Sequence, residues 1–323
     1  MNIVKPTIVI GYPGFGNIDV EKEVLSEIDA TVIHVGATDT PEAREAIRHA
    51  DALMVTIQPV SAELINSMER CKLISRVGTG LDAIDIEAAT QKGVWVTYVP
   101  DYSIDEVSAH AIMLLLAQAR GLPALMASMR AGKWDSSMVH VRRLQGQVLG
   151  LVGCGRIGMA TAVKAQGLGL QVIAYDPFAA AGVLEAAGVQ SVDFATLLNR
   201  SDYISLHTPL TRTNRHLINA EALAQMKSSA YLINTARGPL IDEDALLSAV
   251  RAGQIAGAGL DVLTVEPPAP DNPLLQEPRI LITPHMAWYS EESKIDVRKS
   301  GAEEVIRVLR NQPLHAPVNR IGR

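Results

Sequence analysis

The sequence predicts an α/β protein with two doubly wound parallel sheets, and three observations carry that prediction. Short β-branched runs alternate with helical patterns from end to end, the order that builds parallel sheets covered by helices. The 323 residues suffice for two domains at about 150 residues each. A hydrophobic fraction of 48% and a charged fraction of 20% are ordinary for a globular chain and exclude extensive disorder.

The first series of strands reads at Thr7–Ile10, Thr31–Val35, Ala52–Ile57, Leu73–Val77 and Val94–Tyr98. Between them Ile18–Ile28, Thr40–His49, Ser61–Ser67 and Ile84–Gln91 read as helices or loops. Thr40-Pro41 is a clear helix start, a capping hydroxyl followed by Pro in the first turn. A long helix follows Ser103, and a second series then begins. Its strands are Val148–Val152, Gln171–Tyr175, Tyr203–Leu206, Ala230–Asn234, Ala256–Leu260 and Ile280–Thr283. Its helices are Ile157–Leu168, Ala179–Ala187, Ala220–Met226, Glu243–Ala252 and Glu291–Asn311. Glu266–Pro273 holds four prolines in eight residues and is a loop. The last helix has no strand left to pair with, so it is expected to cross back onto the first domain. The expected division is residues 1–101 plus 287–323, discontinuous, and residues 102–286.

The net charge of −6 offers no basic surplus for a phosphate backbone, so nucleic acid is not an expected partner. Two cysteines, Cys71 and Cys154, fit a reducing compartment. The most apolar stretch, Val107–Ala119, is 13 residues and reads as a buried helix, since a membrane span needs about 20. Lys5 and Pro6 interrupt what would be the apolar part of a leader. The expectation is a cytoplasmic protein with no membrane partner.

Gly153-Cys154-Gly155-Arg156-Ile157-Gly158 fits G-x-G-x-x-G and stands between the strand Val148–Val152 and a helix. In that context Gly153 permits the tight turn, Gly155 admits a pyrophosphate close to the backbone, and Gly158 packs helix on strand. The amides of Arg156 and Ile157 then meet the phosphates with the helix dipole behind them. Asp176 ends the next strand eighteen residues beyond Gly158, where a carboxylate accepts bonds from the ribose hydroxyls and repels a 2′-phosphate. The expected cofactor is NAD. The early Gly11–Gly16 segment is not a second such loop, because Pro13 cannot open the required helix.

Three later segments put a reactive side chain at a strand's C-terminal end, where open α/β sheets bind ligands. They carry Arg237 (in Asn234–Gly238), Glu266 (in Asp261–Pro267) and His285 (in Thr283–Trp288). Arg clamps a carboxylate bidentately, while His moves protons near neutral pH and a carboxylate partner orients its ring.

Gly78-Thr79-Gly80, VGCGRIG, NTARG, DVLTVEP and TPH together resemble the D-isomer-specific 2-hydroxyacid dehydrogenase family over essentially the whole chain. The resemblance implies a Rossmann NAD-binding domain and a smaller, discontinuous, flavodoxin-like substrate domain. It implies Arg237 as binder of the substrate carboxylate and carbonyl, His285 as general acid/base, and Glu266 as its partner, in a homodimer built through the cofactor domain. Thr79, His207, Thr208, Pro209, Thr235, Ala236, Arg237, Asp261 and His285 join the glycine loop and Asp176 as expected cofactor neighbours, with Asp261 on the carboxamide. The substrate is expected at Arg76, Gly78, Thr79, Arg237 and Trp288.

Arg76–Asp85, Val99–Ser103 and His285–Ser290 are similar to the C-terminal-binding-protein-like branch, in which the positions of Arg76 and Trp288 lie at the substrate. Trp288 is either a wall of the pocket or packing where the chain crosses between domains. His110 is either a satisfied core histidine or part of the nicotinamide pocket. No metal-ligand spacing is present among eight histidines and two cysteines, so no metal is expected. The reading is hydride transfer between NAD(H) and a D-2-hydroxy or 2-keto acid with a bulky or apolar side chain. The alternatives are an NADH-sensing binding protein of the corepressor type, and another oxidation, such as that of phosphite, on the same scaffold.

Overall fold

The computed structural model describes residues 5–322 apart from 14, 136 and 181. The chain divides into two units, Met1–Ser103 with Ser290–Arg323, and Ile104–Tyr289.

In the first unit the elements run β1 (Thr7–Ile10), α1 (Asp19–Leu25), β2 (Thr31–His34), α2 (Pro41–Arg48), β3 (Ala52–Val55), α3 (Ala62–Ser67), β4 (Leu73–Arg76), α4 (Ile86–Lys92) and β5 (Trp95–Thr97). The strands pair in parallel in the order β2-β1-β3-β4-β5, the flavodoxin-like order. Central β3 reads Ala-Leu-Met-Val and is buried throughout, as a strand covered on both faces must be. Thr40 caps α2 by accepting from the Ala43 amide, with Pro41 in the first turn.

The C-terminal helix, Glu291–Leu309, opens with a Ser290–Ser293 capping box and packs on β3, β4 and α1. Gly301 permits its close approach, since a Cβ there would stand 2.9 Å from Val77 Cγ2. Its carbonyl accepts from Ser75 Oγ at 2.8 Å. On the same helix Arg298 grips Glu21 with two bonds of 2.7 and 2.6 Å, and the Tyr12 hydroxyl donates to the same carboxylate. Both ions are almost wholly buried, which is tolerable because each is paired and hydrogen-bonded.

The second unit runs α5 (Ile104–Ala119), α6 (Leu122–Arg130), β6 (Val148–Val152), α7 (Arg156–Gly167), β7 (Gln171–Tyr175), α8 (Val183–Ala186), β8 (Gln190–Ser191), α9 (Phe194–Arg200), β9 (Tyr203–Leu206), α10 (Ala220–Ala224), β10 (Tyr231–Asn234), α11 (Glu243–Arg251), β11 (Gly257–Leu260) and β12 (Ile280–Ile282). All seven strands are parallel in the order β12-β11-β10-β9-β6-β7-β8. Counted from β6, this is the Rossmann order with a seventh strand added beyond the sixth, and the direction of winding reverses between β6 and β9. Every strand therefore ends on one edge of the sheet.

Four elements differ from the sequence expectation, the first being helix α6, Leu122–Arg130, which was not expected. The helix expected over Ala179–Ala187 shortens to Val183–Ala186, because Asp176 Oδ1 accepts from the Phe178 amide and turns the chain away from helix after Pro177. Helix α9 was absent from the expected set, although Asp193 caps it by accepting from the Thr196 amide. Strand β8 is two residues long, too short to show any alternation. Among the described residues no single helix is long and apolar enough to cross a membrane.

Candidate active site

The glycine loop after β6 has the geometry its three glycines predict. Gly153 adopts φ +85°, and a Cβ there would lie 2.9 Å from the His207 carbonyl, so the β6 and β9 ends can approach only as bare backbone. A Cβ on Gly158 would come 2.5 Å from the Gly153 carbonyl oxygen, so α7 can fold back onto its strand only through glycine. Gly155 differs: its backbone is extended and the space where a Cβ would stand is open. That open space lies at the N-terminus of a 12-residue helix and at the switch point, where a pyrophosphate would meet the amides of the first helical turn. Gly155→Ala should raise the dissociation constant for NADH while leaving the melting temperature of the ligand-free protein unchanged. Fluorescence titration beside a thermal melt checks this, and equal NADH affinity in the variant would count against the cradle.

Asp176 ends β7 as expected, and its carboxylate does more than stand ready for a ribose. Oδ2 accepts from the Cys154 amide at 2.8 Å and Oδ1 from the Phe178 amide at 2.9 Å. It therefore braces the glycine loop from the side. The Cys154 thiol is pushed up to about 11 by burial and by the Asp176 charge, and it stays protonated.

At the end of β9, His207 bonds Ser205 Oγ through Nε2 at 2.9 Å, and burial pushes its pKa down to about 4. The ring is a neutral packing group whose backbone, with that of Thr208, faces Gly153; Pro209 follows, its carbonyl accepting from Asn214 Nδ2. At the end of β10, buried Asn234 shapes the next turn: its side chain accepts from the Ala236 amide and donates to the Arg237 carbonyl. Thr235 Oγ1 lies buried in this turn and has no hydrogen-bond partner among the described residues. A buried hydroxyl without a partner is costly, and a polar ligand atom at this edge would complete it.

Arg237 leaves the Asn234 turn in extended conformation, with Nη1 donating to the Ala236 carbonyl. A Cβ on the following Gly238 would stand 2.0 Å from the Leu263 carbonyl carbon, so the turn after β10 and the loop after β11 meet backbone to backbone. That loop carries Glu266. Its Oε1 accepts from the Leu263 amide at 2.8 Å, and its Oε2 lies 2.5 Å from His285 Nδ1. Burial opposes its charge, but the His285 hydrogen bond, the Leu263 amide and the charges of His285 and Arg237 outweigh it and hold its pKa below the ordinary carboxylate value. An ionised Glu266 only accepts, so Nδ1 carries a proton toward it and Nε2 is the nitrogen left for other chemistry.

His285 sits at φ +51°, in the left-handed region unusual for a residue with a Cβ. Its amide donates to the Asp261 and Thr283 carbonyls, and its own carbonyl accepts from Trp288 Nε1 at 3.1 Å. Trp288 meets Tyr289 edge-on, with ring centroids 5.6 Å apart. The sequence suggested Asp261 for the carboxamide. Its carboxylate, 1% exposed, accepts from Thr283 Oγ1 and from the Met286 and Ala287 amides. It holds the loop that bears His285. Sequence reasoning overlooked Asn234 and Thr283, polar residues at or just past strand ends; a polar side chain in such a place is the signal that could have found them.

In the first unit, Arg76 ends β4 and folds over its own loop, donating from Nε to the Gly80 carbonyl and from Nη1 to the Val77 carbonyl. Gly78, at φ +143°, makes room for that guanidinium, since a Cβ would lie 2.4 Å from Nη1. Thr79 is tied through Oγ1 to the Val99 carbonyl at 3.1 Å. Among the described residues no group of three or more His, Cys, Asp or Glu could hold a metal ion.

A Rossmann sheet with an open glycine cradle, an acid at the second strand end and a His–carboxylate pair at the same edge defines a nicotinamide-dinucleotide oxidoreductase type of domain. The chain belongs to the D-isomer specific 2-hydroxyacid dehydrogenase family, whose NAD binding domain pattern matches residues 112–287. It is 40% identical over 299 residues to the D-3-phosphoglycerate dehydrogenase of Methanocaldococcus jannaschii, covering 92% of this chain but 57% of that one. The chain thus spans little more than half the length of that relative. It is 36% identical over 307 residues to a glyoxylate reductase of Thermofilum pendens, covering 92% of this chain and 90% of that one. The crystal structure of D-lactate dehydrogenase from Aquifex aeolicus, complexed with NAD and lactic acid, superposes with a TM-score of 0.85 at 29% identity, over 94% of this chain and 96% of that one.

Proposed function

We propose that the protein interconverts a 2-keto acid and a D-2-hydroxy acid with NAD(H). The observation that carries this reading is the His285–Glu266 pair, 2.5 Å apart at the same sheet edge as the glycine cradle. Bound NADH supplies the hydride. In the reducing direction, protonated His285 gives its Nε2 proton to the oxygen that becomes the hydroxyl, and Glu266 stabilises the charged ring. Arg237 clamps the carboxylate and offsets charge developing on the carbonyl oxygen. In the reverse direction neutral His285 takes the hydroxyl proton. In the first unit, Arg76 and the Thr79 amide offer a further carboxylate-binding surface, the Gly78 amide, expected there too, being tied to the Arg76 carbonyl at 2.9 Å. The test is NADH oxidation followed by absorbance across a panel of 2-keto acids. Tight NADH binding without turnover on any of them would favour a sensing role instead.

The cofactor is read as NAD rather than NADP because Asp176 would face a 2′-phosphate with negative charge. Since Asp176 also braces Cys154, Asp176→Ala should both narrow the NAD-to-NADP ratio of kcat/KM and weaken both cofactors. A wild-type protein that prefers NADPH would overturn the assignment.

Substrate choice is read from two features. The loops that follow strands β1 to β5 hold no Lys, Arg or His before the next helix, and Arg298, which reaches the loop after β1, is paired with Glu21. A phosphorylated side chain, strongly anionic, finds little to meet there. Trp288, close to His285, offers a rigid apolar wall. A buried methylene contributes about 0.8 kcal/mol, so phenylpyruvate and 4-methylthio-2-oxobutyrate should show higher kcat/KM than glyoxylate or a phosphorylated keto acid. Trp288→Ala should weaken the bulky substrates selectively. Equal weakening of all substrates would make the indole only a brace on the His285 carbonyl.

A homodimer through the second unit is the assembly proposed. Leu122, Met126 and Met129 on α6 are exposed, as are Trp134 and Met138 after it, an apolar run that a second copy would cover. Sedimentation of a single monomeric species would exclude it. Both cysteines are free thiols, in keeping with a cytoplasmic location.

A further inference from the structure

His110 is the one histidine on α5, and the helix is laid down so that its ring reaches the far end of the sheet. His110, Leu114 and Gln118 recur at four-residue spacing and form one stripe. In the middle of the stripe Gly259 lets the helix settle on β11, since a Cβ there would stand 3.0 Å from Leu114 Cβ. Gln118 donates to the Ala258 and Arg279 carbonyls, where β11 and β12 begin. At the other end His110 Nε2 lies 2.9 Å from Thr283 Oγ1, just past β12. Thr283 Oγ1 lies 2.5 Å from Asp261 Oδ1, and Asp261 accepts from the Met286 amide at 3.0 Å and the Ala287 amide at 2.8 Å.

The direction of these bonds follows from the donor inventory. A carboxylate only accepts and a hydroxyl has one proton, so Thr283 donates to Asp261 and accepts from His110 Nε2. Burial lowers the His110 pKa against the pull of the Asp261 charge and so favours the neutral ring, in which donation to Thr283 places the proton on Nε2. The bonds therefore converge on Asp261, from His110 through Thr283 on one side and from the two amides that follow His285 on the other, and His110 Nε2 itself lies 3.4 Å from Asp261 Oδ1. His285 itself, at φ +51°, has a backbone that persists only where its surroundings hold it.

We propose that His110 is a positioning residue for His285, fixing the 283–287 loop through Thr283 and Asp261. The proposal rests on the proton-transfer role given to His285 above, and its test separates the two. His110→Leu should lower kcat for keto-acid reduction by about 10- to 100-fold, as a small misplacement of a reacting group does, and should leave KM within about 2-fold because Arg237 is untouched. His110→Gln, whose amide N–H replaces the ring donor, should recover most of kcat. Thr283→Val, close in shape but without the hydroxyl, should reproduce the loss. Hydrogen exchange gives a readout free of turnover: the Met286 and Ala287 amides should exchange faster in His110→Leu and Thr283→Val, and at the wild-type rate in His110→Gln. Equal losses of kcat and melting temperature in the Leu and Gln variants would make His110 a core histidine and overturn the proposal, as would unchanged exchange at both amides. If the wild type turns over no keto acid yet the exchange pattern appears, the brace stands and the reading of the reaction fails.

Discussion

Replacing His285 by Ala is expected to slow keto-acid reduction by about 10²–10⁴-fold, the range for a positioned general acid, while NADH still binds. The geometry sets both halves of that expectation. The imidazole is the one side chain on the 283–287 loop that can serve as both proton donor and proton acceptor at nitrogen, and Glu266 holds its Nδ1 at 2.5 Å. The glycine cradle, by contrast, is built from β6 and α7 and owes nothing to the His285 side chain. Single-turnover kinetics beside a fluorescence titration separate the two, and equal losses in binding and rate would show that His285 serves the cofactor instead. Glu266→Gln should reduce the rate less, since the amide keeps the Leu263 contact but cannot balance a charged ring. Glu266 also leaves a mark on stability. Its folded pKa lies below the ordinary 4.5, so its ionised form contributes stability that is fully present above that value and lost as pH falls through the lowered one. The gap in stability between wild type and Glu266→Gln should therefore be largest above about pH 4.5 and close as the solution becomes more acid. A gap that widens on acidification would contradict the pairing.

Much of the fold was legible because most strands are short apolar runs bounded by residues that cannot continue them. Val148–Val152 runs into Gly153, Gln171–Tyr175 into Asp176-Pro177, and Tyr203–Leu206 into His207-Thr208-Pro209, and all three strands end where the sequence ends them. Strand β8 escaped because Gln190–Ser191 is polar, edge-placed and exposed. The reactive groups of the site were legible for a different reason. Arg237, Glu266 and His285 are residues whose type announces chemistry. Their supports were not. Thr283, Asp261 and His110 act on one another only because β11 and β12 are neighbours and α5 lies across β11, and no local pattern reveals which strand ends adjoin. Asp261 shows the difference well: an acid at a strand end reads as a ligand contact, and nothing local announces that three donors from the next strand end and its loop also make it a clamp on its own chain.

The backbone contact at Gly238 is where a single methyl group should do the most damage. A Cβ there would stand 2.0 Å from the Leu263 carbonyl carbon, 2.2 Å from its oxygen and 2.4 Å from the Thr264 nitrogen. All three are backbone atoms, so no rotamer change relieves the clash and one segment must move. Moving the turn displaces Arg237, and moving the loop breaks the Leu263 amide from Glu266 Oε1 and with it the seat of His285. Overpacking of this kind costs about 1–3 kcal/mol, and a misplacement near 1 Å costs about 10²-fold in rate. Gly238→Ala should therefore lower both the melting temperature and kcat. A control comes from the end of α7, where Gly167 has open space about its missing Cβ and an ordinary negative φ. Gly167→Ala should leave kcat unchanged and be neutral or stabilising by up to about 1 kcal/mol. If the two variants behave alike, the turn after β10 tolerates displacement and the close approach to the β11 loop is not what holds Arg237 and Glu266 at one edge.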